Sequence, residues 1–138
     1  METPQFVDAN IFIRHLTGDD PKKAMACLNL FARAGRDEVS LITSETIIAE
    51  VVYVLSSKKL YGLARSDIRA RLAPILSLKG FKRPHRPTLL RALDLYVEHP
   101  IDFEDALAIA QMEREGIREI LSYDAHFDHV ASVRRREP

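Results

Sequence analysis

The sequence predicts an α/β fold with a mostly parallel sheet, and three observations predict it. Short apolar runs of β type, such as "QFV" and "EVSLITS", alternate with longer runs of helical period. Gly, Pro and Asp punctuate the joins where helices should begin and end. The chain has 138 residues, 46% of them hydrophobic, which suits one domain over residues 1–138 with a core of its own. No repeat, low-complexity tract or Ser/Gly linker divides it.

Taken in order, "QFV" reads as a strand and "ANIFIRHL" as the helix after it. "DDPKKAMACLNLFARAG" reads as a helix: Asp19 or Asp20 can cap it, Pro21 fits its first turn and Gly35 can end it. "EVSLITS" is the next strand. "SETIIAEVVYVLSSKK" is a helix with Ile47, Val51, Val54 and Leu55 at helical spacing. "RSDIRARLAPILSLKG" is another, capped by Ser66, ended by Gly80 and kinked or split by Pro74. "KRPHRP" is a break or a short extended piece. "TLLRALDLYVEH" is a helix stopped by Pro100, and "DFEDALAIAQMEREG" is a helix with Asp102 as cap and Gly116 as stop. "IREILSYD" is a strand that ends on an acid, and "VRRREP" reads as a solvated tail, with contact to RNA phosphates as the alternative.

Lys+Arg and Asp+Glu number 20 each, so bulk charge argues neither for nor against a nucleic acid partner. Its distribution is uneven. Residues 58–91 hold ten Lys or Arg against one acid, Asp67, a net of +9, whereas residues 92–128 hold ten acids against two Arg, a net of −8. A basic stretch beside an acidic one can set a phosphate backbone near a metal-binding pocket, although two solvated helix faces give the same count. The basic residues Lys79, Lys82, Arg83 and Arg86 are the candidates to guide RNA. The single cysteine, Cys27, cannot form an internal disulfide, fits a reducing cytoplasm and reads as a small core side chain. No signal peptide and no membrane-spanning run is expected.

Four acids fit a core poorly. In "QFVDANIFIRHL", Asp8 interrupts two apolar segments, and it ends the first expected strand as Asp124 ends the last. Open parallel sheets bind ligands just outside the carboxyl ends of their strands, so both carboxylates are placed to face such a crevice if the strands are neighbours. Glu50 falls about 40° from Val54 at roughly 100° per residue, which sets it at the edge of the expected buried stripe and not on the outer face. Asp105 lies in the first turn of a helix that is apolar on nearly every side, and a buried carboxylate needs a partner. Carboxylates held together repel, and Mg²⁺ or Mn²⁺ relieves that repulsion because hard divalent ions prefer oxygen ligands. A metal of this kind lowers the pKa of a bound water and supports in-line hydrolysis of a phosphodiester. Plainer roles compete: Asp8 as a helix cap, Glu50 as a surface charge, Asp105 as the third-position acid of a capping box begun by Asp102, and Asp124 as a turn former.

The order and setting of these acids resemble the PIN-domain nucleases, especially the short toxin ribonucleases of the VapC type. The resemblance covers nearly the whole chain through "FVDANIFIRHL", "ITSETIIAEVVYVL", "DFEDALAIA" and "ILSYDAHFD". It implies a three-layer α/β/α sandwich around a sheet of four or five mostly parallel strands. It also implies that Asp8, Glu50, Asp105 and Asp124 hold one or two Mg²⁺ or Mn²⁺ ions and cut RNA. Asn10 matches a position that supports the first acid, Ser44 and Ser122 match polar supporting positions, and Asp128 matches a further acid found in some members. "DFEDA" also offers Asp102 and Glu104, so the ligand there could shift by a turn. Homodimers, and a small antitoxin that inserts a segment into the active-site groove, are implied in the same way.

Two other classes compete: a catalytically inactive PIN-like binding module, and a Mg²⁺-dependent phosphatase or receiver-like domain. A phosphatase of the haloacid-dehalogenase type wants an acid two residues after Asp8, where this chain has Asn10. A zinc site from Asp124, His126, Asp128 and His129 lacks a second ligand cluster. No Walker-type loop, G-x-G-x-x-G or G-x-S-x-G is present.

Overall fold

The computed structural model describes residues 3–138. Its contacts divide into two compact units, the first running through Arg86 and the second spanning Pro87–Pro138. Both are built of helices and short parallel strands, as the α/β reading requires.

The first unit carries a parallel sheet in the order β1-β2-β3, formed by β1 (Gln5–Phe6), β2 (Leu41–Ile42) and β3 (Phe81–Arg83). Its helices are α1 (Ala9–Thr17), α2 (Pro21–Gly35), α3 (Glu45–Ser56) and α4 (Arg65–Leu76). Helix α1 buries Ala9, Phe12, Ile13 and Leu16, one apolar stripe at helical spacing, and ends on Gly18 at φ 65°, the left-handed conformation glycine reaches without strain. Helix α2 is capped by Asp20, whose Oδ1 accepts from the Lys23 N–H at 3.1 Å, and Pro21 occupies its first turn. Phe12, Phe31 and Phe81 bring α1, α2 and β3 together with ring centroids 5.7–6.2 Å apart. Cys27 is a free, buried thiol of α2, in the small core role expected for it.

Two close approaches fix the sheet. Gly80 donates its N–H to the Ala34 carbonyl at 2.8 Å, and its own carbonyl accepts from the Leu41 N–H at 2.7 Å. A Cβ there would run into the Val39 carbonyl oxygen and lie 2.8 Å from the Ala34 Cα, so only glycine fits. Thr43, buried just past β2, donates its hydroxyl to the Val7 carbonyl at 2.8 Å. That bond ties the carboxyl ends of β1 and β2 at the point where Asp8 follows.

The second unit holds the rest of α5 (Arg86–Glu98), α6 (Phe103–Glu115), β4 (Glu119–Leu121), a 3₁₀ turn over Ala125–His129 and β5 (Arg134–Arg136). Strands β4 and β5 pair in parallel. Leu89, Ala92, Leu93 and Tyr96 of α5 and Phe103, Ala106, Ile109 and Ala110 of α6 are buried, and Tyr96 meets Phe103 edge-on at 6.0 Å. Helix α6 ends on Gly116 at φ 72°.

The parallel pairing agrees with the expected α/β/α class, but it is short: three strands pair in the first unit and two in the second, each over only two or three residues. Several local expectations need correction. Helix α4 starts one residue before Ser66, with Ala64 at the cap position, so Ser66 does not cap it. Pro74 does not split α4, which continues through it to Leu76. The "VRRREP" segment is not a loose tail, since Arg134–Arg136 form β5. Among the described residues no helix is long and apolar enough to cross a membrane.

Candidate active site

Each acid owes its setting to the element around it. Asp8 stands at the N-cap position of α1 in extended backbone, φ −84° and ψ 162°, yet its side chain makes no cap hydrogen bond. Only its carbonyl serves the helix, accepting from the Ile11 N–H at 3.1 Å. The carboxylate is exposed and unpaired among the described residues, at a helix N-terminus where the macrodipole favours negative charge. The capping role available to Asp8 is therefore not taken.

Glu50 lies on α3, which Ser44 starts by accepting from the Ile47 N–H at 3.2 Å. The buried stripe of α3 is Ile48, Val51, Val52 and Leu55, and Val54 stands off it. Glu50 is consequently exposed, in line with the exposed Thr46 and Tyr53, and not at the edge of the core. Taking Val54 as a core position misplaced it. Among the described residues its carboxylate has no partner. Asn10 is exposed and lines a cleft with Arg14, Lys23 and Cys27.

In the second unit Asp105 is half-buried in the first turn of α6, while its neighbours Asp102 and Glu104 are exposed. Asp102 occupies the N-cap position without a side-chain cap bond, so the capping box that would have explained Asp105 does not form. Burial above all, then the charges of Asp124, Asp102 and Glu104, hold the Asp105 carboxyl above the ordinary carboxylate range, with His126 opposing them. Asp124 moves the other way. Its Oδ1 accepts from the His126 N–H at 2.9 Å and lies 2.7 Å from the His126 Nδ1, which keeps its carboxyl below the usual range. Ser122 supports it through Oγ, which accepts from the Asp124 N–H at 2.9 Å.

Asp128 is engaged elsewhere. Arg135 grips it with both ends of its fork, Nε to Oδ1 at 3.0 Å and an NH2 group to Oδ2 at 3.2 Å, and also reaches the Ser122 carbonyl at 3.2 Å. Asp128 thus fastens β5 to the 3₁₀ turn. Of the basic candidates, Lys79, Lys82 and Arg83 are exposed, and Lys82 pairs with Asp37 at 3.0 Å. Arg86 is different. Its Nε donates to the Leu76 carbonyl at 2.9 Å, and its NH2 donates to those of Leu78 and Phe81 at 2.8 and 3.2 Å. A guanidinium spent on three carbonyls is a brace between α4 and β3, and Arg86 leaves the set of RNA-facing cations.

The sequence reading missed Thr43 and Arg135. The signal for Thr43 was a β-branched hydroxyl closing the "LIT" run, and for Arg135 three arginines in a row with an acid seven residues upstream. Among the described residues no three His, Cys, Asp or Glu side chains gather to hold a metal, the His126 and His129 group included. Asp105 and Asp124 are a pair and not a closed cage. The donor chemistry nevertheless fits a hard divalent cation. All four acids offer carboxylate oxygens, and the charge held against Asp105 is what a cation would relieve.

Comparison with known families matches the chain to the PIN domain over residues 6–133. A search of curated proteins finds no match.

Proposed function

The chain belongs to the PIN-domain family, a family generally of nucleases, and from that premise we propose that it is a Mg²⁺- or Mn²⁺-dependent endoribonuclease. The observation that carries this is Asp105: a half-buried carboxyl, raised by burial and by Asp124, that no capping bond explains. Asp8, Glu50, Asp105 and Asp124 would hold the cation. When bound, the cation supplies charge stabilisation and an activated water for in-line attack on the phosphodiester. Ser122 and His126 orient Asp124, and Ser44 orients the helix that carries Glu50. The exposed Lys79, Lys82 and Arg83 attract the phosphate backbone.

The test is cleavage of a mixed structured-RNA pool by the purified chain with Mg²⁺ or Mn²⁺, with chelator, and with Asp105→Asn, whose folding is checked by circular dichroism. Metal-dependent cutting that the folded variant loses supports the reading. Cutting that survives both chelator and substitution rejects it.

The finer reading is that of a cytoplasmic toxin, active as a homodimer and silenced by a small antitoxin. It rests on the resemblance of the four acidic blocks to VapC-type toxins. Expression of the wild-type chain should arrest growth, and expression of Asp105→Asn should not. Normal growth with the wild-type chain, at matched protein levels, rejects the toxin role.

A further inference from the structure

Residues 113–119 read "EREGIRE", five charged residues around one isoleucine. An aliphatic side chain in so polar a setting needs a reason. Part of the reason is local. The N–H groups of Ile117 and Gly116 donate to the Met112 and Glu113 carbonyls at 2.8 and 3.1 Å, the paired bonds that close a helix on a left-handed glycine. Such a turn favours an apolar residue at 117 because it can lie against Met112. That contact leaves Ile117 51% exposed, so half of it still wants a partner.

Ile117 lines a cleft of about 680 Å³ that lies wholly within the second unit. Small-molecule sites commonly enclose about 300–1,000 Å³. Ile109, Met112, Ile117 and Val133 give the cleft an apolar lining. Its free charge is of one sign. Glu113 lines it too, but Arg91 grips both Glu113 oxygens, at 2.9 and 3.1 Å, and offsets their charge. Arg118 and Arg134 also line it, both are exposed, and neither guanidinium has a partner among the described residues. The Arg134 N–H donates to the Arg118 carbonyl at 2.8 Å, so the two cations start from adjacent points of the β4–β5 pair.

We propose that this cleft binds a small amphipathic anion, an acyl chain ending in a carboxylate. The chain lies over Ile117 and its apolar neighbours, and the carboxylate is held by Arg118 and Arg134. Guanidinium forks match carboxylate geometry, and a free pair of them beside apolar surface complements a ligand with an anionic head and an apolar body. An RNA backbone is a poorer match, since it brings charge in series and no apolar body to cover the lining. The cleft adjoins the last turn of α6 and the start of β4, whereas Asp105 sits in the first turn of α6 and Asp124 follows the end of β4. It is therefore a separate site, and the proposal stands independently of the nuclease reading.

The probe is decanoate, kept below the concentration at which it forms micelles, with decanol and decylammonium as its neutral and cationic counterparts. Each is titrated into the full chain and followed by ¹H–¹⁵N spectra. Decanoate should saturate, with shifts concentrated at residues 109–118 and 131–134, and should bind about tenfold more tightly than decanol. The double change Arg118→Gln and Arg134→Gln should abolish that preference and leave decanol binding as it was. Ile117→Ser should weaken both ligands. All three positions are exposed, and circular dichroism checks that the variants fold.

Equal affinity for decanoate and decanol, equally tight decylammonium, or a decanoate preference that survives the double change would overturn the proposal. So would shifts centred outside the cleft, or none that saturate. Cleft shifts that follow protein concentration alone would make this a self-association face, and displacement of decanoate by a short oligoribonucleotide would assign the arginines to RNA. Either result would also overturn it.

Discussion

Thr43 donates its hydroxyl to the carbonyl of Val7, one residue before Asp8, across 2.8 Å of buried space. The bond joins the ends of two parallel strands and sets the exit direction of the chain that presents the Asp8 carboxylate. Thr43→Val keeps the shape and removes the donor, which leaves a buried carbonyl short of a partner. A loss of about 1–3 kcal/mol in denaturant unfolding is expected. A loss in RNA cleavage larger than the fraction unfolded explains would show that strand-end geometry also matters to Asp8.

Gly80 makes a sharper case for the backbone. A methyl group at this position meets Val39 and Ala34 backbone atoms and no flexible side chain. Gly80→Ala should destabilise the chain by about 1–3 kcal/mol through overpacking, read as a lower midpoint in urea. An unchanged midpoint would mean that the backbone around Gly80 yields to the methyl group without cost.

Asp105 gives the pH dependence. Its folded carboxyl titrates above the unfolded value, so the folded state holds the extra proton in the window between the two. Stability therefore falls as pH rises through that window, and ionised Asp105 is a burden on the metal-free fold at neutral pH. Asp105→Asn should melt higher than the wild-type chain in chelator at pH 7, with the difference shrinking in acid. Asp124 and Asp128 have the opposite sign: their depressed values contribute stability that is lost as pH falls through them. A variant that melts lower at pH 7 would put Asp105 in a structural role.

The basic residues divide by what they touch. Neutralising Lys79, Lys82 and Arg83 should weaken binding of every RNA sequence and flatten its salt dependence, by about 0.7 in the log–log slope for each phosphate that is no longer neutralised. Arg86→Ala should instead cost about 1.5–3 kcal/mol of stability, since three carbonyls are deprived of a charged donor. Salt titrations and urea melts on the same variants separate the two.

Much of this was legible in the residues. The alternation of apolar runs pointed to the α/β class, and Asp20, Pro21 and Gly116 mark helix ends where local chemistry demands them. The oddness of Asp8 and Asp105 was also visible, because an acid amid apolar neighbours conflicts with burial. What failed depended on long-range partners. The brace made by Arg86, the Asp128–Arg135 fork and the Thr43–Val7 bond join residues 5 to 36 positions apart, and no periodicity encodes them. Glu50 was misplaced for a local reason, since "IIAEVVYVL" is so apolar that more than one stripe can be drawn through it and packing chooses Ile48 and Val52.

The proposed nuclease needs a divalent metal, and Asp8, Glu50, Asp105 and Asp124 are the residues proposed to bind it. Calorimetric titration of Mn²⁺ into the wild-type chain and into each single Asp→Asn or Glu→Gln variant tests it most directly. The account predicts saturable binding by the wild-type chain and a large loss of affinity in every variant, with folding unchanged by circular dichroism. Binding that survives all four substitutions, or no binding by the wild-type chain, would contradict it.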